Sequence, residues 1–304
     1  MTRNAILYQA FGIDFQSALA LPELRAGSGS ESGCVKITLG PAPCPDDARL
    51  IETGVAAGPH VFWMEVPGIV RLCVRNGREI AVDIADGATE STARAFLLGS
   101  ALGALLHQRG LLPIHASAVV ISGRAVAFAG HSGAGKSTMA LHMTRRGHRL
   151  LCDDIWAIDT SGPVPVVWPG LSSVKLWRET LATVGQSPEG LEQVLPSLDK
   201  YRLPIDALAG YRPYPLGAIF SLRHSDDQSA PAVERMGGAD AAGVLVANTF
   251  RGQLVKPMGR SRAHFDQCMA IARHSGVQRL TRPWAIDQLE TSCALVERTA
   301  ILTT

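Results

Sequence analysis

Alternation of apolar and polar positions dominates the first ninety residues. Val35-Lys36-Ile37-Thr38-Leu39 puts every second side chain on one face, the period of a half-buried strand. Residues 60–66, 70–74 and 79–84 read as further strands, and residues 5–15 hold a short apolar run. Pro67-Gly68 and Asn76-Gly77 punctuate them, the second being a favoured hairpin turn. Gly27 to Gly33 has no period and reads as a loop. Residues 1–90 are therefore expected to form a β-rich N-terminal region.

After residue 90 the pattern changes. Residues 91–108 are apolar at helical spacing, and residues 113–121 enter a strand. Ser122-Gly123-Arg124 turns the chain into Ala125-Val126-Ala127-Phe128-Ala129, a short run suited to a buried strand. Residues 138–146 carry good helix formers, and Gly147 stops them. Arg149-Leu150-Leu151-Cys152 is another buried strand, ending at Asp153-Asp154. Residues 181–198 read as an interrupted helix, 216–222 as a strand, and 265–274 and 286–298 as closing helices. No internal repeat is visible. The expectation is an α/β domain over residues 91–304 with a mixed sheet.

Composition narrows the class. The 304 residues are 46% hydrophobic, enough for a substantial core. Lys and Arg number 29 against 27 Asp and Glu, and the few aromatics are not interleaved with basic clusters. Nucleic acid is therefore not an expected partner. The six cysteines lack metal or redox spacing and suit a reduced, cytoplasmic protein. Met1-Thr2-Arg3-Asn4 leads into a mixed segment, so no secretory leader is expected. Residues 96–106 are too short an apolar run to span a bilayer, and no membrane partner is expected. The subunit count is open, a homo-oligomer included.

The chemistry concentrates in Gly130-His131-Ser132-Gly133-Ala134-Gly135-Lys136-Ser137. Glycine, four residues, then Gly-Lys-Ser is the phosphate-binding loop pattern. Its glycines let successive backbone N–H groups point inward at an anion. On this reading Gly130, Ser132, Gly133, Ala134, Gly135, Lys136, Ser137 and Thr138 bind a nucleotide. Lys136 reaches the outer phosphates, and the Ser137 hydroxyl binds magnesium. A strand before the loop and a helix after it supply the context the motif needs, and the helix N-terminus adds partial positive charge.

Asp153 and Asp154 lie 17 and 18 residues after Lys136, at the end of a strand expected beside the loop strand. Two adjacent carboxylates repel unless a cation or donor lies near. One suits magnesium held through water, and the other suits a proton acceptor. His115 opens the strand that pairs by hairpin with the loop strand; a packed core histidine is the commoner fate of such a residue. Lys200 and Arg202, in a segment read as a loop rich in Pro and Tyr, are candidate cations for a transferring phosphate. A solvated surface loop is the alternative. Arg212 and Arg251 are weaker candidates of that kind. Cys152 reads as a buried inert thiol.

Taken together, His115, the loop, Arg146-Gly147-His148-Arg149-Leu150 and Asp153-Asp154 resemble the catalytic domain of HPr kinase/phosphorylase over residues 111–156. The resemblance implies a phosphate-loop core like that of HPr kinase and phosphoenolpyruvate carboxykinase, with ATP and Mg2+. It implies that Lys136 binds phosphate, Ser137 binds magnesium, His115 is an active-site histidine and Asp154 is the general base, which leaves Asp153 as the carboxylate expected to hold the metal. The chain departs from the family at Val167-Trp168-Pro169-Gly170, where HPr kinases carry a magnesium-binding glutamate in Glu-Ile-Arg-Gly. Leu176-Trp177, Asp199-Lys200-Tyr201-Arg202-Leu203-Pro204, Tyr8-Gln9-Ala10-Phe11-Gly12-Ile13 and Leu21-Pro22-Glu23-Leu24 instead resemble lasso peptide kinases. Members of that subgroup phosphorylate a residue, typically serine, at the C-terminal end of a precursor peptide. The same residues also suit a phosphorylase or phosphatase acting on that phosphoserine, or a non-catalytic nucleotide-binding accessory protein.

Overall fold

The computed structural model describes residues 5–27, 33–226, 230–274, 276–283 and 288–302. Most of the Gly/Ser/Glu stretch read as a loop, residues 28–32, lies outside them. The chain forms two compact units and is mixed α/β with several sheets. One unit runs to Pro113 and includes Arg251–His264; the other takes Ile114–Phe250 and the chain from Phe265 onward.

The first unit holds a nine-stranded mixed sheet: β1 (Ile6–Ala10), β2 (Ile13–Ser17), β3 (Arg25–Ala26), β4 (Val35–Leu39), β5 (Arg49–Glu52), β6 (Val55–Gly58), β7 (Val61–Val66), β8 (Val70–Arg75) and β9 (Glu79–Ile84). Their order is β3-β1-β2-β4-β9-β8-β7-β6-β5, with β4 parallel to both neighbours. The Tyr8-to-Ile13 phrase is a hairpin, because Phe11 and Gly12 take positive φ between β1 and β2. Asn76 and Gly77 do the same before β9.

The helical run expected over 91–108 is present as α1 (Glu90–Phe96), a π-helical turn (Leu97–Ala101) and α2 (Leu102–Gln108). It belongs to the first unit, although the sequence pattern grouped it with the second region. Gln108 at its end receives the Gly77 amide at 2.7 Å and donates to the Val74 carbonyl at 3.2 Å, which ties it to the β8–β9 hairpin.

The short strand β10 (Leu112–Ile114) ends the first unit's long N-terminal run. The second unit then forms β11 (Ala116–Ile121), β12 (Arg124–Ala129), α3 (Lys136–Arg145), β13 (Arg149–Cys152), β14 (Trp156–Asp159), β15 (Val166–Val167), β16 (Ser173–Trp177) and α4 (Arg178–Thr183). It continues with β17 (Glu192–Leu195), β18 (Leu198–Pro204), β19 (Tyr214–Ser225), β20 (Ala232–Arg235), α5 (Gly238–Ala247), α6 (Ser261–His274), β21 (Gly276–Pro283) and α7 (Leu289–Leu302). Of α6, the part from Phe265 onward belongs to this unit. The main sheet runs β14-β15-β19-β12-β11-β13, and β21 pairs with β19 and β20. A separate three-stranded sheet has the order β16-β18-β17.

An apolar core packs the elements around the loop helix in this unit. Val119, Phe128, Met139, Met143, Phe220, Leu280 and Val296 are all buried in it, and the small sheet adds Val174 and Leu176. Burying each large side chain contributes roughly 1.5–3 kcal/mol. The segment Arg146-Gly147-His148 fastens α7 to this core: Arg146 pairs with Glu290 and Glu297, and His148 Nε2 lies 2.9 Å from Glu297. The Arg146 hydrogen bonds pull the Glu297 carboxyl down to about 2. Its stabilising charge is therefore held above the ordinary value of 4.5 and lost as pH falls toward 2.

Two sequence expectations fail here. Of the 181–198 region only residues 181–183, the end of α4, are helical; Gly185, Pro188 and Gly190 break the pattern, and Glu192–Leu195 is a strand. The 199–204 segment is strand β18 rather than a loop, since Tyr201 and Arg202 are buried between two partner strands. Among the described residues no helix is long and apolar enough to cross a membrane.

Candidate functional site

Strand direction gathers the chemistry at one sheet edge. β12 ends at the glycine loop, and β11 runs antiparallel to it. β13 is antiparallel to β11, so β13 points the same way as β12 and its C-terminal Asp153-Asp154 reaches the edge where the loop begins. His115 and Ser117, at the N-terminal end of β11, arrive there too. The Asp-bearing strand does not adjoin the loop strand as expected: β11 lies between them.

The loop 130–135 opens α3 directly. Gly133 and Gly135 sit at φ 85° and 87°, where a side chain is strained. No side chain caps α3, which leaves its first N–H groups to the loop's concave side. The Gly130 amide donates to Asn248 Oδ1 at 2.9 Å, and the Ala134 side chain is buried in the core. Lys136 is 7% exposed and its ammonium donates to the carbonyls of Gly130 (2.8 Å) and His131 (3.0 Å). Burial pushes its pKa down.

Asp153 is 1% exposed and is held only by neutral donors. Its Oδ1 accepts from Ser117 Oγ at 2.5 Å and Ser137 Oγ at 2.8 Å, and its Oδ2 accepts from the Lys175 amide at 2.8 Å. Among the described residues it forms no ion pair. A buried carboxylate of this kind is costly without a cation.

Asp154 takes the left-handed conformation at φ 73°. That strain costs on the order of 1 kcal/mol, and glycine would relieve it but supply no carboxylate. Its Oδ2 lies 2.6 Å from Lys175 Nζ and its Oδ1 3.4 Å from His115 Nδ1. His115 Nδ1 is also 3.0 Å from the Asp154 carbonyl, which can only accept. Nδ1 therefore carries the proton. Burial lowers the His115 pKa, so the ring is neutral at pH 7 and Nε2 is its free acceptor. Burial raises the Asp154 carboxyl, but Lys175 and then His115 outweigh it and hold the group well below the ordinary 3.8.

Lys175 was missed by sequence reading. Its strand position, flanked by the buried Val174 and Leu176, was the available signal. It sets the protonation of Asp154, which gives a test. In Lys175→Met the burial effect on Asp154 is no longer opposed by that ammonium, so the carboxyl pKa rises. Followed by carboxyl NMR, Asp154 should titrate about 1–3 pH units higher than in the unsubstituted protein. An unmoved titration would contradict this role.

A cavity of about 350 Å³ opens beside these groups within the second unit, with Asp153 buried behind its lining rather than in it. His115, Ser132, Lys136, Ser137, Asp154 and Lys175 face it, with Gly133, Gly135 and Thr138 from the loop and helix. Trp177, Thr180 and Leu289 form another wall. Lys200 also lines it, its ammonium 5.6 Å from the centre of the Trp177 ring. Arg202, the other candidate cation, is not among the lining residues: it is 7% exposed and its Nε lies 3.3 Å from Glu192 across β17–β18. Arg212 stacks on Tyr214, and Arg251 bonds Ser100 in the first unit. Arg282 and Asn248, also unforeseen, reach the loop from strand β21 and the end of α5.

No protein-family model and no curated protein matches the chain. Among solved structures it is similar to the HPr(Ser) kinase/phosphatase from Coxiella burnetii, at 14% identity and a TM-score of 0.33, over 62% of this chain and 97% of that one.

Proposed function

We propose that this chain is an ATP- and Mg2+-dependent kinase that phosphorylates a serine hydroxyl, the acceptor lying at the C-terminal end of a ribosomal, lasso-type precursor peptide. One observation carries the reading: a glycine loop with Lys136 and Ser137 shares a single cavity with the ionised carboxylate of Asp154.

The residues suit each part of the reaction. The open glycine backbone and uncapped α3 fit a phosphate chain, with Lys136 neutralising its outer oxygens. The acceptor oxygen forms a bond to the γ-phosphorus while the bond to the β-phosphate oxygen breaks, and the hydroxyl proton passes to Asp154. His115 holds the backbone of Asp154, and Lys175 keeps its carboxylate ionised and placed. Lys200 adds positive charge at the cavity wall.

The donor set also fits magnesium. Ser137 Oγ and Asp153 are hard oxygen ligands, and the buried Asp153 carboxylate forms no salt bridge among the described residues, the Lys136 ammonium acting on it only at longer range. When bound, the metal would spread charge on the phosphate oxygens. The five buried thiols suit a reducing, cytoplasmic setting.

The test uses γ-labelled ATP, Mg2+ and two synthetic peptides that end in serine or alanine. Label should enter only the serine peptide and disappear with EDTA. ATP turnover that labels neither peptide, or no turnover at all, would overturn the proposal.

A further inference from the structure

Arg282 stands out among the buried charges of the second unit. It lies near the end of β21, 6% exposed, and lines the same cavity as Lys136. β21 is parallel to β19, and β19 is parallel to β12, so all three strands deliver their C-terminal ends to the loop edge. Arg282 Nη2 donates to the Ala134 carbonyl at 3.3 Å, a long and weak bond. Among the described residues its Nε has no hydrogen-bond partner and no carboxylate pairs with it.

The guanidinium also fits tightly behind the loop. A Cβ at Gly135 would collide with its Nη2. His224, opposite Arg282 in the strand register, cannot be its counter-charge, since imidazole is neutral or cationic; burial and then Arg282 push its pKa down to about 4 and keep it neutral at pH 7. A fixed, buried guanidinium without an anion is costly, and a planar fork of donors is suited to phosphate oxygens.

We infer that Arg282 grips the phosphate chain of the nucleotide beside the glycine loop. This rests on the proposed nucleotide site and deepens it: Arg282 contacts the ligand and favours polyphosphates over a monophosphate. A purely structural brace for Ala134 predicts something different. Losing a brace destabilises the ligand-free protein, whereas losing an unpaired buried charge leaves its melting temperature unchanged or higher.

The test measures binding of inorganic tripolyphosphate, ATP and AMP to the full chain by calorimetry, together with ligand-free Tm. Arg282→Met should weaken tripolyphosphate and ATP by about 10- to 100-fold, affect AMP less, and keep Tm. Unchanged tripolyphosphate affinity, or a uniform loss for all three ligands with a lowered Tm, would overturn the assignment. Should Arg282→Met fail to fold, Arg282→Lys carries the test, with an expected loss of about 3- to 10-fold as a point charge replaces the fork. Unchanged affinity in that variant would overturn it too. The two readings separate cleanly. Arg282-dependent tripolyphosphate binding without phosphoryl transfer keeps this assignment and removes the kinase. A wild-type protein that binds none of the three ligands removes both.

Discussion

Asp154→Asn lowers phosphoryl transfer by about 10²- to 10⁴-fold, the range expected when a positioned proton acceptor is removed. The substitution preserves shape, so the nucleotide should still bind within a few-fold of wild type. The amide cannot take the acceptor proton. It also leaves the Lys175 ammonium, 11% exposed, without its carboxylate partner at 2.6 Å. Some loss of thermal stability should accompany the loss of rate, because breaking a buried pair strands the remaining charge. Single-turnover transfer and a separate nucleotide titration divide these effects. Undiminished transfer would remove Asp154 from its role.

Lys136→Ala has a different signature. Its ammonium donates to the loop carbonyls of Gly130 and His131 and, on the proposed reading, would meet the incoming phosphate chain. Loss of one such preorganised donor costs about 10²- to 10³-fold in rate. Here the nucleotide KM rises as well as kcat falling, because the same contact serves binding. The carbonyls of Gly130 and His131 lose their donor at the same time, so ligand-free Tm should drop modestly. A variant with wild-type KM for ATP would contradict the reading of the loop.

Much of this was visible in the chain because it is local. The strand, glycine loop and helix from Arg124 to Arg145 are specified by contiguous residues, and so are the β11–β12 hairpin and β13. The aspartates are legible too, since a strand end shows in the sequence. What the sequence hides is side chains brought in from distant strands. Lys175 reaches Asp154 from the small β16–β18–β17 sheet, and Arg282 reaches Ala134 from β21. Neither has a motif around it. Asn248, which holds the Gly130 amide, lies 118 residues away.

The misread elements have local causes. Leucines spaced along residues 181–198 imitate a helix, but Gly185, Pro188 and Gly190 interrupt it and β pairing takes the rest. Tyr and Pro near Lys200 suggested a loop; cross-strand pairing of Tyr201 and Arg202 with β16 and β17 makes it a strand. β5 and β6 were not foreseen, because Val55-Ala56-Ala57-Gly58 is poor in strand-forming residues. The helix over 90–108 joins the first unit through contacts of Gln108 that sequence spacing cannot reveal.

The most direct measurement is a crystal structure of the full chain with Mg2+ and a non-hydrolysable ATP analogue. The triphosphate should be seated on residues 130–138, its terminal phosphorus facing the Asp154 carboxylate. A nucleotide bound away from that loop, or an Asp154 side chain turned to the far side of the sheet, would contradict it.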